Sequence, residues 1–331
     1  MGKVNMRDVA EHAGVSVATV SHVINNTRFV GDETRQHVID SIEALGYCPN
    51  MMARIFKTGK KQLIGFIVPD IANSFFSTII EEVENTLASQ NYKLIIANTK
   101  ENPEREIENL KVLSGGIVDG IIIASTLDNY EEMEKIIPKE LPCVCIDRNV
   151  PNYPYDNIII SSYQAARLAV ETVIKEGHQK IGYIAGLSRL STTKERLSAY
   201  EDALNAADIP LNPNFVCYGD SMSNSATNHV DKLISQGCTA IVVSNNVMAE
   251  DVMFYLQEKK VAGGKRIRLV TYNDSSQIKY PFSHTHVVCQ PVIELGRIAG
   301  TQMMERIDNP TANIKNIVLQ STFIPCQYDE Y

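Results

Sequence analysis

A short stretch near the start of the chain combines an apolar stripe with an outer face that is almost free of charge. The stretch reads VSVATVSHVIN, residues 15–25, and on a helix its Val20, Val23 and Ile24 would point inward. The other positions carry small or polar side chains: Val17, Ala18, Ser21, His22 and Asn25. Hydroxyl, imidazole and amide groups can hydrogen-bond to the edges of DNA bases, and valine or alanine methyl groups can meet thymine methyl groups. This face is therefore a candidate nucleic-acid contact.

A second set of side chains that could bind a ligand lies mostly just beyond short apolar runs. It combines aromatic rings, amides, carboxylates and guanidinium groups: Asn73, Phe75, Phe76, Asp147, Arg148, Arg196, Asn245, Asn273, Asp274 and Gln290. Planar polar groups of this kind take paired hydroxyls, and an aromatic ring covers a C–H face. The composition of the set indicates a polyhydroxylated ligand.

Each set also has a purely structural interpretation. The first could be the idle surface of a three-helix core, and the second could consist of side chains that cap backbone groups at strand and helix ends. His178 follows Gly177 at the end of a helical stretch, so we interpret it as structural. Cys143 and Cys145 share one face of an apolar run without a nearby His or Cys, which is typical of core cysteines rather than of a metal site.

The first set has to be positioned by three short helices within residues 1–46. The first helix is predicted over about residues 6–13, and Ser16 is the expected N-cap of the second, which holds the stretch described above. The third is predicted over residues 32–45 and should end at Gly46 in the left-handed conformation. A helix, a glycine-containing turn and a second helix describe a helix-turn-helix.

From Leu63 onward, short apolar runs alternate with amphipathic helical stretches. The predicted strands lie at 63–68, 93–98, 120–125, 143–147, 181–186, 215–219, 240–245 and 268–273. The predicted helices lie at 75–90, 103–114, 163–177, 192–207, 225–236, 247–260 and 291–307. Continuous Val- and Ile-rich strands separated by helices predict an α/β fold with buried parallel sheets. About eight strands suit two doubly wound halves, with a ligand cleft where their strands end.

Composition excludes several classes of protein. The chain has 331 residues, 44% hydrophobic and 21% charged, which suits two or three globular domains. No apolar run approaches the roughly 20 residues of a membrane span, and the N-terminus lacks a signal-peptide core, so we expect a cytoplasmic protein without a membrane partner. Seven scattered cysteines do not form a disulfide framework.

Charge is unevenly distributed along the chain. Residues 1–61 contain eight Lys and Arg against six Asp and Glu, although the whole chain has a net charge of −8. A mildly basic head on an acidic body is typical of a protein with one end that binds a polyanion.

The N-terminal motif MRDVAEHAGVSVATVSHVINNTRFVGDETRQHVIDSIEALGYCPNMMARIF resembles the lactose-repressor (LacI-type) family of bacterial transcriptional regulators. TVSHVIN and TRFV resemble its purine-repressor branch. The resemblance implies a small all-α helix-turn-helix head and a two-subdomain, doubly wound parallel-sheet core like that of periplasmic sugar-binding proteins. It also implies a homodimer on a pseudo-palindromic, double-stranded operator and a small-molecule effector, a sugar or sugar derivative, in the core.

The resemblance assigns roles within the head. Val17, Ala18 and His22 fall at base-contacting positions. Thr19, Ser21 and Asn25 fall at positions that contact the DNA backbone or support the helix. Arg28 is expected to hold the phosphate backbone. Because the purine-repressor branch has threonines where this chain has Val17 and Ala18, we expect a related operator with thymine methyl groups opposite these two residues.

The hinge that follows the head matches the family only in part. Family hinges resemble Asn-x-x-Ala-Arg-x-Leu, and Asn50, Ala53 and Arg54 agree with that pattern on a predicted helix from Met51 to about Lys57. The leucine that inserts into the minor groove is replaced by Phe56, a larger wedge, so that we count Arg54 and Phe56 among the DNA-binding residues. Alternatively, Phe56 is an ordinary packing residue.

The core departs from the family at three motifs. Asn-Pro-Phe-Phe, Asn-Asp and Asp-Asp appear here as 73–76, 245–246 and 273–274, and two carboxylates have become amides. With Arg148, Arg189, Lys194 and Arg196 near the same strand ends, we expect a cleft less negative than is usual and hypothesise an anionic sugar such as a sugar phosphate or sugar acid. Resemblance favours Asp147, Arg196, Asn245 and Asn273 as effector contacts.

The expected organisation follows from these features. Residues 1–49 form the head, 50–61 the hinge and linker, and 62–331 the core, with one subdomain at about 62–161 and 292–322 and the other at about 162–291 and 323–331. No metal, cofactor or enzymatic activity is expected, because neither a glycine-rich nucleotide motif nor a nucleophile–base motif is present. The main alternative is a sugar-binding protein without DNA regulation, which would carry a signal peptide and no head.

Overall fold

The computed structural model describes residues 4–25, 28–48, 59–127, 129–149, 154–261, 266–274 and 284–326. The chain divides into two compact units, residues 1–61 and 62–331, which we call the head and the core. The predicted hinge helix, with Arg54 and Phe56, lies outside the described residues.

The head contains the three predicted helices: α1 (Met6–His12), α2 (Val17–Asn25) and α3 (Asp32–Leu45). Asn5 caps α1, since its Oδ1 accepts from the Arg7 N–H at 2.8 Å while Asp8 accepts from the Asn5 N–H at 2.7 Å. Gly46 ends α3 with φ +59°, in the left-handed region that its sequence position predicted. Apolar side chains from the three helices meet in one small core: Val9, Ala10, Val20, Val23, Val38 and Tyr47.

The core contains two six-stranded sheets, each covered by helices on both faces as α/β folds require. The first sheet is parallel and has the strand order β11-β5-β4-β3-β1-β2. Its strands are β1 (Leu63–Val68), β2 (Lys93–Asn98), β3 (Gly120–Ile123), β4 (Cys143–Asp147), β5 (Asp156–Ser161) and β11 (Asn316–Gln320). Its helices are α4 (Ser74–Ala88), α5 (Pro103–Ser114), α6 (Glu131–Ile136) and α11 (Val292–Asp308).

The second sheet has the order β12-β10-β9-β8-β6-β7 and is parallel except at β12, which pairs antiparallel with β10. Its strands are β6 (Ile181–Ala185), β7 (Val216–Tyr218), β8 (Ala240–Val243), β9 (Arg268–Asp274), β10 (Thr285–Gln290) and β12 (Thr322–Ile324). Its helices are α7 (Tyr163–Lys175), α8 (Ser191–Ala206), α9 (Thr227–Ser235) and α10 (Asn246–Val261), with a 3₁₀ turn at Pro213–Phe215.

Three segments connect the two halves of the core within the described residues, after β5, β10 and β11. The first and third run side by side: the Ser321 N–H donates to the Ser161 carbonyl at 2.9 Å, and the hydroxyls of Ser162 and Ser321 lie 2.9 Å apart. Glu195 on α8 holds the first segment, because its Oε1 accepts from the Ser162 and Tyr163 N–H groups at 3.1 Å.

The expected fold class is confirmed, but the predicted strand number was too low. The described residues contain twelve strands rather than about eight; β5, β10, β11, β12 and the short helix α6 were not predicted. β11 and β12 are short and half-exposed, so that their sequences show no continuous apolar run. They are strands because the edges of the two sheets supply backbone partners.

Candidate functional site

The helix α2 begins as its sequence predicts. The Ser16 hydroxyl accepts from the Thr19 N–H at 3.1 Å and therefore satisfies one free backbone donor of the first turn. Val20 and Val23 are buried in the head core, which fixes the opposite face of α2 outward.

The outward face of α2 is uncharged and accessible. Val17 is 41% exposed, and Ala18 and Asn25 are also exposed, while Thr19, Ser21 and His22 are half-buried. The Asn25 amide donates to the Ser21 carbonyl at 2.8 Å, which ties the end of the helix together. Arg28 is exposed after the helix. The arrangement leaves the methyl groups at the helix start open to a partner.

A cavity lies within the core, where the carboxyl ends of strands from both halves meet. The space between its walls is about 510 Å³, including the part that opens to solvent. Eight of the ten predicted effector residues line it: Asn73, Phe75, Phe76, Asp147, Arg148, Arg196, Asn245 and Gln290. Asn273, on β9, does not line this cavity, and the side chain of Asp274 lies outside the described residues.

Two amides predicted as ligand contacts also cap helices. Asn73 Oδ1 accepts from the Phe75 N–H at 3.0 Å and so caps α4. Asn245 Oδ1 accepts from the Met248 N–H at 2.9 Å, and its Nδ2 donates to the Ser221 carbonyl at 2.9 Å. The capping interpretation therefore applies to both amides, although both line the cavity.

Two phenylalanine rings form an apolar wall of the cavity. Phe75 and Phe76 are 7% and 4% exposed, and their centroids lie 5.0 Å apart with the ring planes at 89°. Both belong to the core cluster between α4 and the first sheet, which holds the rings in place. Their position allows them to cover a C–H face of a ligand.

Arg196 reaches the cavity from α8, within the second half. Its guanidinium lies 4.1 Å from the centre of the Tyr272 ring, and its Nη1 donates to the Ser244 carbonyl at 2.6 Å. Its Nε is buried and has no hydrogen-bond partner within the described part of the chain. A donor held rigidly by stacking and lacking a partner is suited to receive a ligand oxygen.

Asp147 and Arg148 stand at the end of β4. Asp147 has φ +65°, an uncommon backbone conformation for this residue type, and its carboxyl is buried. Burial raises the pKa of that carboxyl, and the neighbouring Arg148 and Arg196 oppose the rise. Asp147 is therefore a buried acceptor at the centre of the candidate site.

Glu101 is a cavity residue that sequence reasoning missed. It lies three residues beyond β2, and its carboxylate accepts from Arg148 at both Nη1 (3.0 Å) and Nη2 (2.5 Å). A search of the loops that follow strands would have included it, since β2 ends at the same edge of the sheet as β1 and β4. Thr192, Thr193, Ser221 and Ser244 are further lining residues without a sequence signal of their own, and Asn246, from the 245–246 motif, also lines the cavity.

The buried Glu106 organises one wall of the cavity. Its carboxylate accepts from the Ser125 hydroxyl and the Thr126 N–H, both at 2.5 Å. The carbonyls of the same turn accept from Arg148 Nη1 at 2.9 Å and from Arg189 Nε at 3.3 Å. Burial raises the pKa of the Glu106 carboxyl, and the two hydrogen bonds oppose the rise.

Direct hydrogen bonds join the two halves across the cavity. Asn246 Nδ2 donates to Asn73 Oδ1 at 2.7 Å and to the Ser74 hydroxyl at 3.2 Å. Arg189 Nη2 donates to the Glu101 carbonyl at 2.7 Å. In this conformation the two halves are thus held together by side chains of the protein itself.

The interpretations of Cys143, Cys145 and His178 made from the sequence agree with the structure. Cys143 and Cys145 are buried in the core cluster beside the first sheet, and His178 donates to or accepts from the Thr239 hydroxyl at 2.8 Å.

The part of the chain that the structure describes has no cluster of His, Cys, Asp or Glu suited to a metal ion. None of its helices is long and apolar enough to cross a membrane.

Two family models cover most of the chain. Residues 5–50 match the bacterial regulatory proteins of the lacI family, and residues 61–328 match the periplasmic binding proteins and sugar binding domain of the LacI family. The ribose operon repressor of Haemophilus influenzae is 31% identical over 96% of both chains. The transcriptional repressor PurR of Vibrio atlanticus is 33% identical over 91% of both chains.

A solved structure shows the same fold over nearly the full length. The lac repressor dimer bound to operator and the anti-inducer ONPF is 25% identical, covers 98% of both chains and superposes with a TM-score of 0.81. The helix-turn-helix, the two-sheet core and these matches agree with one another. The chain belongs to the LacI family and is a DNA-binding transcriptional regulator with a sugar-binding type of core.

Proposed function

We propose that this chain is a repressor that binds a pseudo-palindromic operator as a homodimer and is switched by a small polyhydroxylated molecule in the core cavity. The observation that carries the DNA-binding part is the uncharged, accessible face of α2. A recognition helix reads bases with its N-terminal residues, and Val17 and Ala18 are the residues at that end of α2.

The DNA contacts that we propose divide into two groups. Val17, Ala18 and His22 face the bases, while Thr19, Ser21, Asn25 and Arg28 contact the phosphate backbone or support the helix. From the hinge, Arg54 and Phe56 are proposed to contact the minor groove.

The effector part rests on the chemistry of the cavity. Phe75 and Phe76 offer an apolar wall, Asp147 offers a buried acceptor, and Arg196 offers a donor without a protein partner. These groups match the C–H faces and hydroxyls of a sugar or sugar derivative. Since one relative is named a ribose operon repressor, a pentose is the first sugar to test.

Operator selection tests the proposal. Full-length protein is incubated with duplexes that contain a randomised palindrome, and bound DNA is isolated by gel shift at several salt concentrations, with and without a panel of sugars. We expect one enriched palindrome, an affinity that falls steeply with salt, and a change of affinity with at least one sugar. If a folded dimer enriches no sequence, the proposed regulator function is wrong.

The same selection on Ala18→Thr tests the residue assignment. Replacing a methyl contact by a hydroxyl should change the preferred base opposite position 18 by about 1–3 kcal/mol of discrimination. An unchanged operator profile would show that Ala18 does not face a base.

A further inference from the structure

Both terminal nitrogens of Arg148 are already occupied within the protein. Nη1 and Nη2 donate to the two carboxylate oxygens of Glu101, and Nη1 also donates to the Ser125 carbonyl. The Arg148 side chain is 6% exposed and that of Glu101 is 10% exposed. A two-pronged ion pair of this kind leaves little of the guanidinium charge available to a ligand.

Glu101 is held in this pairing by its backbone as well. It has φ +54° and follows Lys100 at φ +53°, two left-handed residues in succession that are not glycine. Its carbonyl accepts from Arg189 Nη2 at 2.7 Å. The turn beyond β2 therefore presents the carboxylate to Arg148 in one orientation.

Among the described side chains that line the cavity, positive and negative charges are equal in number. Two carboxylates, Glu101 and Asp147, face two guanidinium groups, Arg148 and Arg196. Arg189 and Lys194, which the sequence suggested as further positive groups, do not line the cavity. An anion that entered would meet the Asp147 carboxylate while both terminal nitrogens of Arg148 are occupied by Glu101, and removal of its hydration would cost free energy.

The cavity does contain single N–H donors that lack a partner among the described residues. Arg148 Nε, Arg196 Nε and Gln290 Nε2 are buried and have no hydrogen-bond partner among the residues that the structure describes. Arg148 Nε lies 3.8 Å from the Asp147 carboxylate, beyond hydrogen-bonding distance. Hydroxyl and ring oxygens of an uncharged ligand satisfy such donors, and a hydroxyl can in turn donate to Asp147.

On the basis of the proposed effector site, we propose that Glu101 determines the charge of the ligand. By occupying both terminal nitrogens of Arg148, Glu101 makes the cavity accept an uncharged polyhydroxylated molecule and exclude a phosphate or carboxylate. Without the Glu101 charge, Arg148 becomes an anion site.

The test compares wild type, Glu101→Gln and a matched control, Glu104→Gln, which removes an exposed carboxylate three residues later, in the first turn of α5. Affinities for inorganic phosphate, ribose 5-phosphate and ribose, and for gluconate and glucose, are measured by calorimetry and thermal shift on the full chain. We expect the phosphate and carboxylate ligands to gain about tenfold or more in affinity for Glu101→Gln, with no gain for the control. Anion binding by wild type at similar strength, or no gain in the variant, would overturn the proposal.

Two further variants identify the group responsible. Glu101→Gln combined with Arg148→Gln should lose the gain, because the anion is expected to bind Arg148; a gain that persists contradicts the assignment. Glu101→Asp keeps the charge and should still exclude anions, so that anion binding by Glu101→Asp refutes the proposal even if Glu101→Gln does not fold.

These outcomes are separate from those that decide the proposed function. Failure to select an operator would remove the regulator proposal, and failure of every neutral sugar to bind wild type would remove the sugar effector. Neither result changes the comparison of anion affinities between wild type and Glu101→Gln.

Discussion

Asp156, on β5, is a buried carboxylate surrounded by donors from two other parts of the first half of the core. Arg306 donates to it through Nε at 2.8 Å and Nη2 at 2.7 Å, Gln302 Nε2 lies at 3.2 Å, and the Lys315 N–H at 2.8 Å. The Asp156 side chain is fully buried and that of Arg306 is 10% exposed. The pair fastens β5, α11 and the start of β11 to one another.

We predict that Asp156→Ala lowers the free energy of unfolding by about 3–5 kcal/mol, because it leaves the Arg306 guanidinium buried without its counter-ion. The control is Glu305→Ala, on the same helix as Arg306. It removes the partner of Lys315 in an exposed ion pair and should lower the free energy of unfolding by less than about 1 kcal/mol. Urea unfolding at fixed protein concentration measures both. Equal losses in the two variants would show that burial of Arg306 is not the cause.

At the residue scale, the sequence predicted those cavity residues that lie at the ends of strands and have side chains suited to a ligand. Asp147 and Arg148 after β4 are examples. It also placed Arg196 in the cavity, by resemblance. Asn273 was placed there by resemblance too, but it is not among the residues that line the cavity. Glu101 was missed because its importance comes from pairing with Arg148, and such a contact between distant residues leaves no pattern in one sequence.

Two helices of the core start at opposite walls of the cavity and are joined by an amide contact. Asn73 caps α4 in the first half, and Asn246 begins α10 in the second. Asn246 Nδ2 donates to Asn73 Oδ1 and to the Ser74 hydroxyl. Family patterns have an aspartate where this chain has Asn246 and a proline where it has Ser74. The two residues that differ from the family patterns therefore contact each other.

We predict that Asn246→Asp opens the cleft. The variant removes the donor and places a carboxylate beside the Asn73 oxygen, and the loss of one hydrogen bond of about 0.5–1.5 kcal/mol shifts the closed population by roughly two- to twelvefold. Small-angle X-ray scattering should show a larger radius of gyration than for wild type. Asn228→Asp, an exposed change on α9, is the matched control; a variant that scatters like this control would contradict the role of the contact.

Element by element, the helices other than α6 followed from the sequence, and β1, β2 and β4 have the predicted bounds. β5 and β10 were missed although both are largely buried, because polar residues at their ends interrupt the apolar run. β11 and β12 form strands because each pairs with the edge of a sheet. Pairing with a distant strand is a tertiary effect that local composition does not record.

At the scale of the whole molecule, an effector and an operator that bind the same dimer must influence each other equally. If an effector changes operator affinity through the equilibrium of the core, the operator changes effector affinity by the same factor. The relation holds for an inducer and for a corepressor, with opposite sign.

We therefore predict equal factors in two independent measurements. Fluorescence anisotropy gives the operator Kd with and without saturating effector, and calorimetry gives the effector Kd with and without saturating operator. Allosteric coupling typically amounts to about 1–3 kcal/mol, or roughly 5–150-fold. Factors that differ beyond error would mean that the effector acts through something other than this equilibrium, such as a change of oligomeric state.

The three segments that connect the halves of the core have a consequence for synthesis of the chain. The first sheet needs β11, and its helix layer needs α11, yet both follow the entire second half up to β10. At about 5–20 residues per second, a ribosome makes the earlier strands of the first half on the order of ten seconds before α11 and β11 are made. During that interval the apolar side chains that α11 later covers, among them Ile79 and Val144, have no permanent partner. The first half thus begins translation first, but it cannot complete its sheet until all strands of the second half except β12 have been made, and we expect it to depend on chaperones during that interval.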